Sequence, residues 1–452
     1  MSDADLQQLR SEIDHLDDEI LGLLQARAQL VTRVGRLKAQ TNTPVLDPAR
    51  EQAVLERVAQ RAAGLPPDAV HAVFCAIIDA SLALEQQQAP SAIAPLCAPN
   101  IQRIQPYVPG KPAEVLEREL GISGAIKLAS NENPLGPSPK AVAAMREALA
   151  GSHLYPEGSS YYLREALGRK HGVSGDEVIC GSGGYELLEL CVRTFCTPAE
   201  EVIYGQPSFV CYHLAAQEHG VRGVPVVLDG EYQVDVDALL AKVTPRTKVL
   251  FLANPNNPTG AYLARPGFER LLFELPPQVI LAVDEAYFEF VQAGDYPDSM
   301  RYRNARERLI SFRTFSKIYG LAGLRIGYAV SSKEVIGYMN RVRPPFNVTS
   351  IAQAGALAAL EDHEHVARTR DVTVAGRAYL SEELAKLGVR AYPSQANFLF
   401  VDVGRPSGPV YEALLRKGVI VRPIGGPRHF RVSVGTLAEN QRFVRALGEV
   451  LK

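Results

Sequence analysis

The sequence predicts a multidomain chain. An all-α bundle occupies residues 1–88, a linker residues 89–100, and an α/β domain with a largely parallel sheet residues 101–452. The α/β domain divides into an N-terminal arm and large part to about residue 345 and a smaller α/β part from about 346. Three observations carry this division. Apolar residues recur every three or four positions from Leu6 to Leu37. Residues 89–99 read APSAIAPLCAP, which neither continues a helix nor alternates as a strand. From Ile101 onward, short apolar runs alternate with amphipathic segments.

At 452 residues the chain exceeds what one core serves. Its formal net charge of -2, with both signs interspersed, gives no reason to expect nucleic acid or a membrane as partner and points to small-molecule substrates. Cys75, Cys97, Cys180, Cys191, Cys196 and Cys211 show no CxxC pairing and no even spacing. Free thiols in the cytoplasm are expected, with no disulfide framework and no metal. No stretch reaches the roughly 18 apolar residues that a membrane span needs.

In the first module, Leu6, Leu9, Ile13, Leu16, Ile20, Leu23, Arg27, Leu30, Val34 and Leu37 follow alternating spacings of three and four, a heptad seam with one arginine in it. A helix covering that stretch is about 50 Å long at 1.5 Å per residue, longer than so small a module can cover, so the seam is expected to pack against a second copy. A second helix opens near Asp47-Pro48, where Asp suits the N-cap and Pro the first turn. A third, from about Pro67 to Gln87, carries Val70, Phe74, Ile77, Ile78 and Ser81 on one face. The charge of Arg27 requires an internal carboxylate or an anionic ligand, and a ligand is the sharper expectation.

In the second module, VLFLAN, VILAVDEAY and LISFRTFSK read as buried strands ending in polar residues, and ligands of open α/β sheets gather at such carboxyl ends. Alone, Lys317 would read as a solvated surface lysine. With Thr314 and Ser316 beside it and Arg325 eight residues on, it reads as an amine able to form an imine with pyridoxal phosphate beside groups that hold a phosphate. Asp284 ends VILAVD and could pair with a protonated pyridine nitrogen, while Tyr287 could bind the ring oxygen. Asn257, in the loop NPNNPTG, could donate to that same oxygen. CGSGGYELLEL sets Gly183, Gly184 and Tyr185 at a helix start, where backbone amides meet phosphate.

SNENPLGPSP, YPEGSSYYLREAL, QPSF, NPNNPTG, VDEAYFEF, TFSKIYGLAGLRIGY and FRVSVGT occur in this order. The set resembles the fold-type I, pyridoxal-phosphate-dependent aminotransferases, and specifically the histidinol-phosphate aminotransferase family, across residues 101–452. The resemblance implies pyridoxal 5'-phosphate as cofactor, with Lys317 as its imine lysine and proton shuttle. It implies Asp284 on the ring nitrogen and Asn257 with Tyr287 on the ring oxygen. Thr314, Ser316, Arg325 and the amides of Gly183, Gly184 and Tyr185 would hold the phosphate, with Tyr155 reaching it from a partner subunit. Phe209 sits where an aromatic ring stacks on the cofactor, although Tyr212 is close enough in sequence to be confused with it. Arg431, Arg422 and Asn133 fall on the substrate side. Gly184-Tyr185 departs from the family's usual Asp or Ser beside the phosphate glycine, and the segment IGGPRHF between the two arginines is short.

The spacing of Arg10, Arg27, Lys38, Asp47, Arg50, Glu51, Ser81 and Glu85 resembles the all-helical bacterial chorismate mutases, which implies an intertwined dimer. It implies Arg10 of the partner, Arg27 and Arg50 on carboxylates, Lys38 on the ether oxygen and Glu51 on the hydroxyl, with Asp47 and Ser81 completing the shell. Glu85 stands one turn from Ser81, where many relatives have glutamine. A carboxyl group donates only when protonated, so mutase activity is expected to rise toward acidic pH. The expected function is then bifunctional: chorismate to prephenate, and amino transfer from glutamate to an aromatic 2-oxo acid such as prephenate, phenylpyruvate or 4-hydroxyphenylpyruvate, in a homodimer. The alternative acceptor is imidazole-acetol phosphate, with a fused mutase or metabolite-sensing domain. A decarboxylase on the same scaffold is a further reading.

Overall fold

The computed structural model describes residues 3–41, 48–61, 64, 66–88, 96–107, 109–424 and 426–452. The chain divides into two compact units, Met1–Gln102 and Arg103–Lys452.

The first unit is built on α1 (Asp3–Thr41), α2 (Pro48–Arg61) and α3 (Pro67–Gln88). Proline opens α2 and α3, where its fixed φ suits the helix and its missing N–H costs nothing. α3 packs against both α1 and α2. Val31 of α1 and Val70 and Ser81 of α3 are buried, yet Leu9, Ile13, Leu16, Ile20 and Leu23 along the α1 stripe stay between 49% and 72% exposed. Arg27 turns to α3, where its Nη1 donates to the Ser81 hydroxyl and the Ile77 carbonyl. Both acceptors are neutral, so neither is the carboxylate or anion that the sequence led one to expect. Asp47 lies outside the described residues, as do the side chains of Glu51 and Glu85. Arg10 and Arg50 are exposed, and Lys38 is half-buried.

The second unit holds three sheets. Its strands are β1 (Ile126–Lys127), β2 (Val178–Gly181), β3 (Glu201–Gln206), β4 (Arg222–Val227), β5 (Thr247–Ala253), β6 (Ile280–Asp284), β7 (Leu309–Thr314), β8 (Gly327–Val330), β9 (Arg390–Ala391), β10 (Phe398–Asp402), β11 (Val419–Ile420), β12 (Arg422–Pro423) and β13 (His429–Ser433). The large sheet has the order β2-β8-β7-β6-β5-β3-β4. All its pairs are parallel except those made by β8 with β2 and β7. Its central strands are apolar on both faces because helices cover both, as parallel sheets require. Successive side chains of β5 show this: Val249 and Phe251 enter one core, Leu250 and Leu252 the other. Ile280 and Ala282 against Leu281 and Val283 repeat the pattern on β6.

The smaller part is an antiparallel sheet of order β12-β13-β10-β9. Segment 126–128, grouped with the arm and large part in the reading above, runs along this smaller part. β1 pairs in parallel with β11, Ser433 N–H donates to the Leu128 carbonyl at 2.9 Å, and Leu128 joins the core of Val401, Phe430 and Val432.

Phe251 is fully buried and stacks on Tyr212 at 4.9 Å. Phe251→Ala is expected to cost about 3–5 kcal/mol. Urea denaturation followed by near-ultraviolet circular dichroism checks this, and a loss under about 1 kcal/mol would contradict the packing.

Candidate active site

Ala253 pairs with Asp284, and Asp284 with Phe312, so the carboxyl ends of β5, β6 and β7 stand side by side. They face a cavity of about 320 Å³ lined by, among others, Asn131, Phe209, Tyr212, Asn257, Asp284, Tyr287, Lys317, Arg325 and Arg431.

After β5 the chain turns through NPNNPTG, with cis peptide bonds before Pro255 and Pro258. Asn256 anchors this loop, its amide donating to the Pro207 carbonyl at 3.0 Å and to the Thr259 hydroxyl at 2.9 Å. Asn257 thereby reaches the cavity, and its Oδ1 accepts from Arg431. Only its Nδ2 can then serve as a donor there.

β6 ends at Asp284, whose carboxylate accepts from the Tyr212 hydroxyl at 2.8 Å and from the Ala286 N–H at 3.1 Å. Burial pushes this carboxyl above its usual range, against the pull of those two hydrogen bonds. Beyond β7 comes Lys317, whose Nζ donates to the Ser130 and Asn131 carbonyls, each at 3.3 Å. Burial first, and the nearby Arg431 second, push its amine from 10.5 down to about 8.

Gly183, with φ of +84°, precedes the helix Gly184–Phe195. A Cβ at Gly183 would lie 2.1 Å from Arg325 Nη2, so only glycine lets the guanidinium approach this helix start. Thr314 and Ser316, like Arg325, line the cavity. Backbone amides, two hydroxyls and a guanidinium form a donor set suited to a phosphate dianion.

At the other side, Arg431 is buried. Its Nη2 donates to the Ala129 carbonyl at 2.6 Å, and its Nε is a buried donor without a partner among the described residues. An acidic substrate group would satisfy it. Arg422 also lines the cavity, its guanidinium carbon 5.8 Å from the Tyr107 ring centre.

The structure brings together at the cavity Gly184, Tyr185, Phe209, Asn257, Asp284, Tyr287, Thr314, Ser316, Lys317, Arg325, Arg422 and Arg431. Tyr155 stands apart, 84% exposed and stacked on Phe346 at 4.8 Å. Asn133 is not among the cavity-lining residues. Its amide donates to the Ile318 carbonyl at 2.9 Å and its Oδ1 accepts from Leu135 N–H, so it braces the chain beside Lys317. Asn131, two residues earlier, faces the cavity instead. Sequence reasoning also passed over Tyr107 and gave Tyr212 no role of its own, although Tyr212 holds Asp284. Tyr212 lies beside the QPSF motif, while Tyr107 lies in QPYVPG, a segment in which no motif was read.

The aminotransferase class I and II family model matches residues 123–447, and the chorismate mutase type II model matches residues 9–86. The chain belongs to the class I and II aminotransferases. Its N-terminal unit carries a type II chorismate mutase domain. Curated relatives include the histidinol-phosphate aminotransferase of Moorella thermoacetica, 47% identical over 80% of this chain and 95% of that protein. Another, from an Anaeromyxobacter species, is 48% identical over 79% of this chain and 99% of its own length. Among solved structures, histidinol-phosphate aminotransferase from Sinorhizobium meliloti, in complex with pyridoxal 5'-phosphate, superposes with a TM-score of 0.74 at 29% identity, covering 81% of this chain and 99% of that one. This aminotransferase is accordingly a fold-type I, pyridoxal-phosphate enzyme. The cavity fits the group: a phosphate cradle that a Cβ at Gly183 would fill, and a buried carboxyl at Asp284 that a cation would ionise.

The depressed Lys317 pKa has a kinetic signature. The neutral amine attacks the aldehyde, so cofactor uptake by the apoenzyme is expected to rise with pH and level off above about 8. An ordinary lysine would keep gaining reactivity toward 10.5. Stopped-flow absorbance across this range checks the expectation, and a rate still climbing about tenfold per pH unit near pH 10 would contradict it.

Proposed function

We propose that the chain is a bifunctional enzyme. Residues 1–88 would rearrange chorismate to prephenate, and residues 101–452, across the linker 89–100, would transfer an amino group from glutamate to prephenate, phenylpyruvate or 4-hydroxyphenylpyruvate. The fusion itself carries this reading: a domain of the prephenate-forming class is tethered to an aminotransferase, which raises the local concentration of product. A second reading, favoured by the names of the relatives, makes imidazole-acetol phosphate the acceptor. Arg431 and Arg422 suit a carboxylate or a phosphate equally, so the two readings differ at the rest of the acceptor.

Pyridoxal phosphate supplies an aldehyde for the amino group and a ring that, protonated at nitrogen, accepts the electrons of the bond broken at the amino-bearing carbon. Arg325, Thr314, Ser316 and the amides at Gly183, Gly184 and Tyr185 would hold its phosphate. Asp284, oriented by Tyr212, keeps the proton on the ring nitrogen, and Tyr287 with Asn257 Nδ2 faces the ring oxygen. Phe209 would stack on its face, while the Tyr212 ring, perpendicular to Phe209, packs on Phe251. The Lys317 amine, poised near neutrality, would take a proton from the amino-bearing carbon and deliver it to the cofactor carbon that had carried the aldehyde. Arg431, which lines the cavity, would grip the substrate carboxylate, and Arg422 a second anion.

In the mutase domain, Arg27 and Arg50, with Arg10 of a second copy, would bind the two carboxylates of chorismate. Lys38 and Glu85 would meet the ether oxygen, Glu51 the hydroxyl, and Asp47 and Ser81 the remaining polar atoms. Such a pericyclic step needs only positioning and cations near the breaking bond. Two observations support this. Arg27 meets Ser81 across α1 and α3, and the open α1 stripe offers an apolar surface that a second copy would cover, making a homodimer. No helix among the described residues is long and apolar enough to cross a membrane, and we place the enzyme in the cytoplasm.

Steady-state kinetics with glutamate as donor should give an aromatic 2-oxo acid at least about tenfold higher kcat/KM than imidazole-acetol phosphate. The reverse preference would establish the second reading. For the mutase, chorismate turnover should rise from about pH 8 to pH 5 in the parent and be nearly flat in Glu85→Gln. Indistinguishable profiles would remove Glu85 from the reaction.

A further inference from the structure

We propose that Asn131 is a positioning residue that ties the strand carrying Arg431 to Tyr287 and Lys317, so that the grip on a substrate anion and the hydrogen bond offered to the cofactor ring oxygen are set together. The inference deepens the reading just given and rests on Lys317 and Tyr287 acting as assigned there.

One end of the link is β13. Arg431 and Ser433 stand two residues apart and so point to the same side of the strand. Both reach the segment that precedes Glu132. Arg431 Nη2 donates to the Ala129 carbonyl, and the Ser433 hydroxyl accepts from Asn131 N–H and donates to Asn131 Oδ1, both at 2.8 Å. With the bond from Ser433 N–H to the Leu128 carbonyl, residues 128–131 are joined to β13 along their length.

The other end belongs to the large sheet. Asn131 Nδ2 donates to the Tyr287 oxygen at 2.9 Å, and the Asn131 carbonyl accepts from Lys317 Nζ at 3.3 Å and from Asn397 Nδ2 at 3.1 Å. Tyr287 and Lys317 follow the carboxyl ends of β6 and β7. Asn131 thus spends its side-chain amide on Tyr287 and its side-chain oxygen on Ser433, while its backbone carbonyl meets the catalytic amine. It is buried to 1% exposure and holds φ of +55°, a left-handed conformation that asparagine tolerates better than most residues.

The chemical consequence lies at Tyr287. Because its oxygen accepts from Asn131, its own proton must point elsewhere, and accepting a hydrogen bond makes the hydroxyl a stronger donor. A stronger donor stabilises a negative ring oxygen. Any displacement of β13 as Arg431 engages an anion moves Ser433, and with it the amide that polarises Tyr287.

Asn131→Gly tests this on the holoenzyme. Glycine accepts the positive φ, so the two carbonyls facing Lys317 stay in place while the amide is lost. The expected result is a KM for glutamate within about threefold of the parent and a kcat lower by about 10- to 100-fold. The pH midpoint of the cofactor's visible absorption band should rise by about 0.5–1 unit. Ser433→Ala should move the midpoint in the same direction and less, and it carries the test if apoenzyme melting shows that Asn131→Gly fails to fold. In a Tyr287→Phe background, Asn131→Gly should shift the midpoint no further. An unchanged midpoint and kcat, a loss confined to KM, or an additive shift in the Tyr287→Phe background overturns the proposal. Failure of the underlying reading shows separately, as a Lys317→Ala variant that still transfers amino groups at the parent rate.

Discussion

The cost of keeping charge out of water governs this molecule. Asp284, Lys317 and Arg431 face one cavity, and each is pushed toward its neutral form by burial. An uncompensated buried ion costs several kcal/mol, so a site that keeps three such groups is complementary to something that supplies the missing charges. In the proposed function a phosphorylated pyridine aldehyde would do so at one end and a substrate carboxylate at the other. The same desolvation that makes the empty arrangement costly brings Lys317 to where it can exchange protons near neutral pH.

The sheet carries a second set of buried charges, centred on Arg313, which also lines the cavity. Glu285 follows Asp284 but points away from it, and accepts from Arg313 Nε and Nη2 at 3.0 and 2.9 Å. Arg313 also reaches Asp298 at 2.6 Å and lies over the Phe288 ring at 3.4 Å. Because Arg313 precedes Thr314 on β7, this cluster locks the ends of β6 and β7 against each other. Asp284 and Thr314, proposed to meet the ring nitrogen and the phosphate, are thereby held to one spacing. Such a pair adds little net stability over an apolar one, but breaking it leaves an unpaired ion, which makes it a strict constraint on geometry.

The two units solve the problem of apolar surface differently. The aminotransferase unit buries both faces of its large sheet under its own helices. The chorismate mutase unit leaves most of the described α1 stripe exposed, and Arg27 donates to the neutral Ser81 hydroxyl and Ile77 carbonyl.

Local pattern alone decided a large share of this. The heptad spacing of α1, the prolines that open α2 and α3, and the apolar runs that become β5, β6 and β7 are consequences of backbone periodicity, which depends only on neighbours in the chain. Lys317, Asp284 and Asn257 were readable because each sits just past a strand end or in a loop, where ligands gather in open α/β sheets, whereas Arg431 was implied only by the resemblance carried by FRVSVGT. What crosses the chain was not readable. Asn131 and Asn133 share one motif, and the left-handed turn at Asn131 decides which of them faces the cavity. Tyr212 claims Asp284 only because the helix Cys211–Glu218 packs against β5. Segment 126–128 lies with the smaller part because β1 forms a two-stranded sheet with β11, nearly three hundred residues away in sequence. These outcomes depend on register and packing between distant segments, which only the folded arrangement sets.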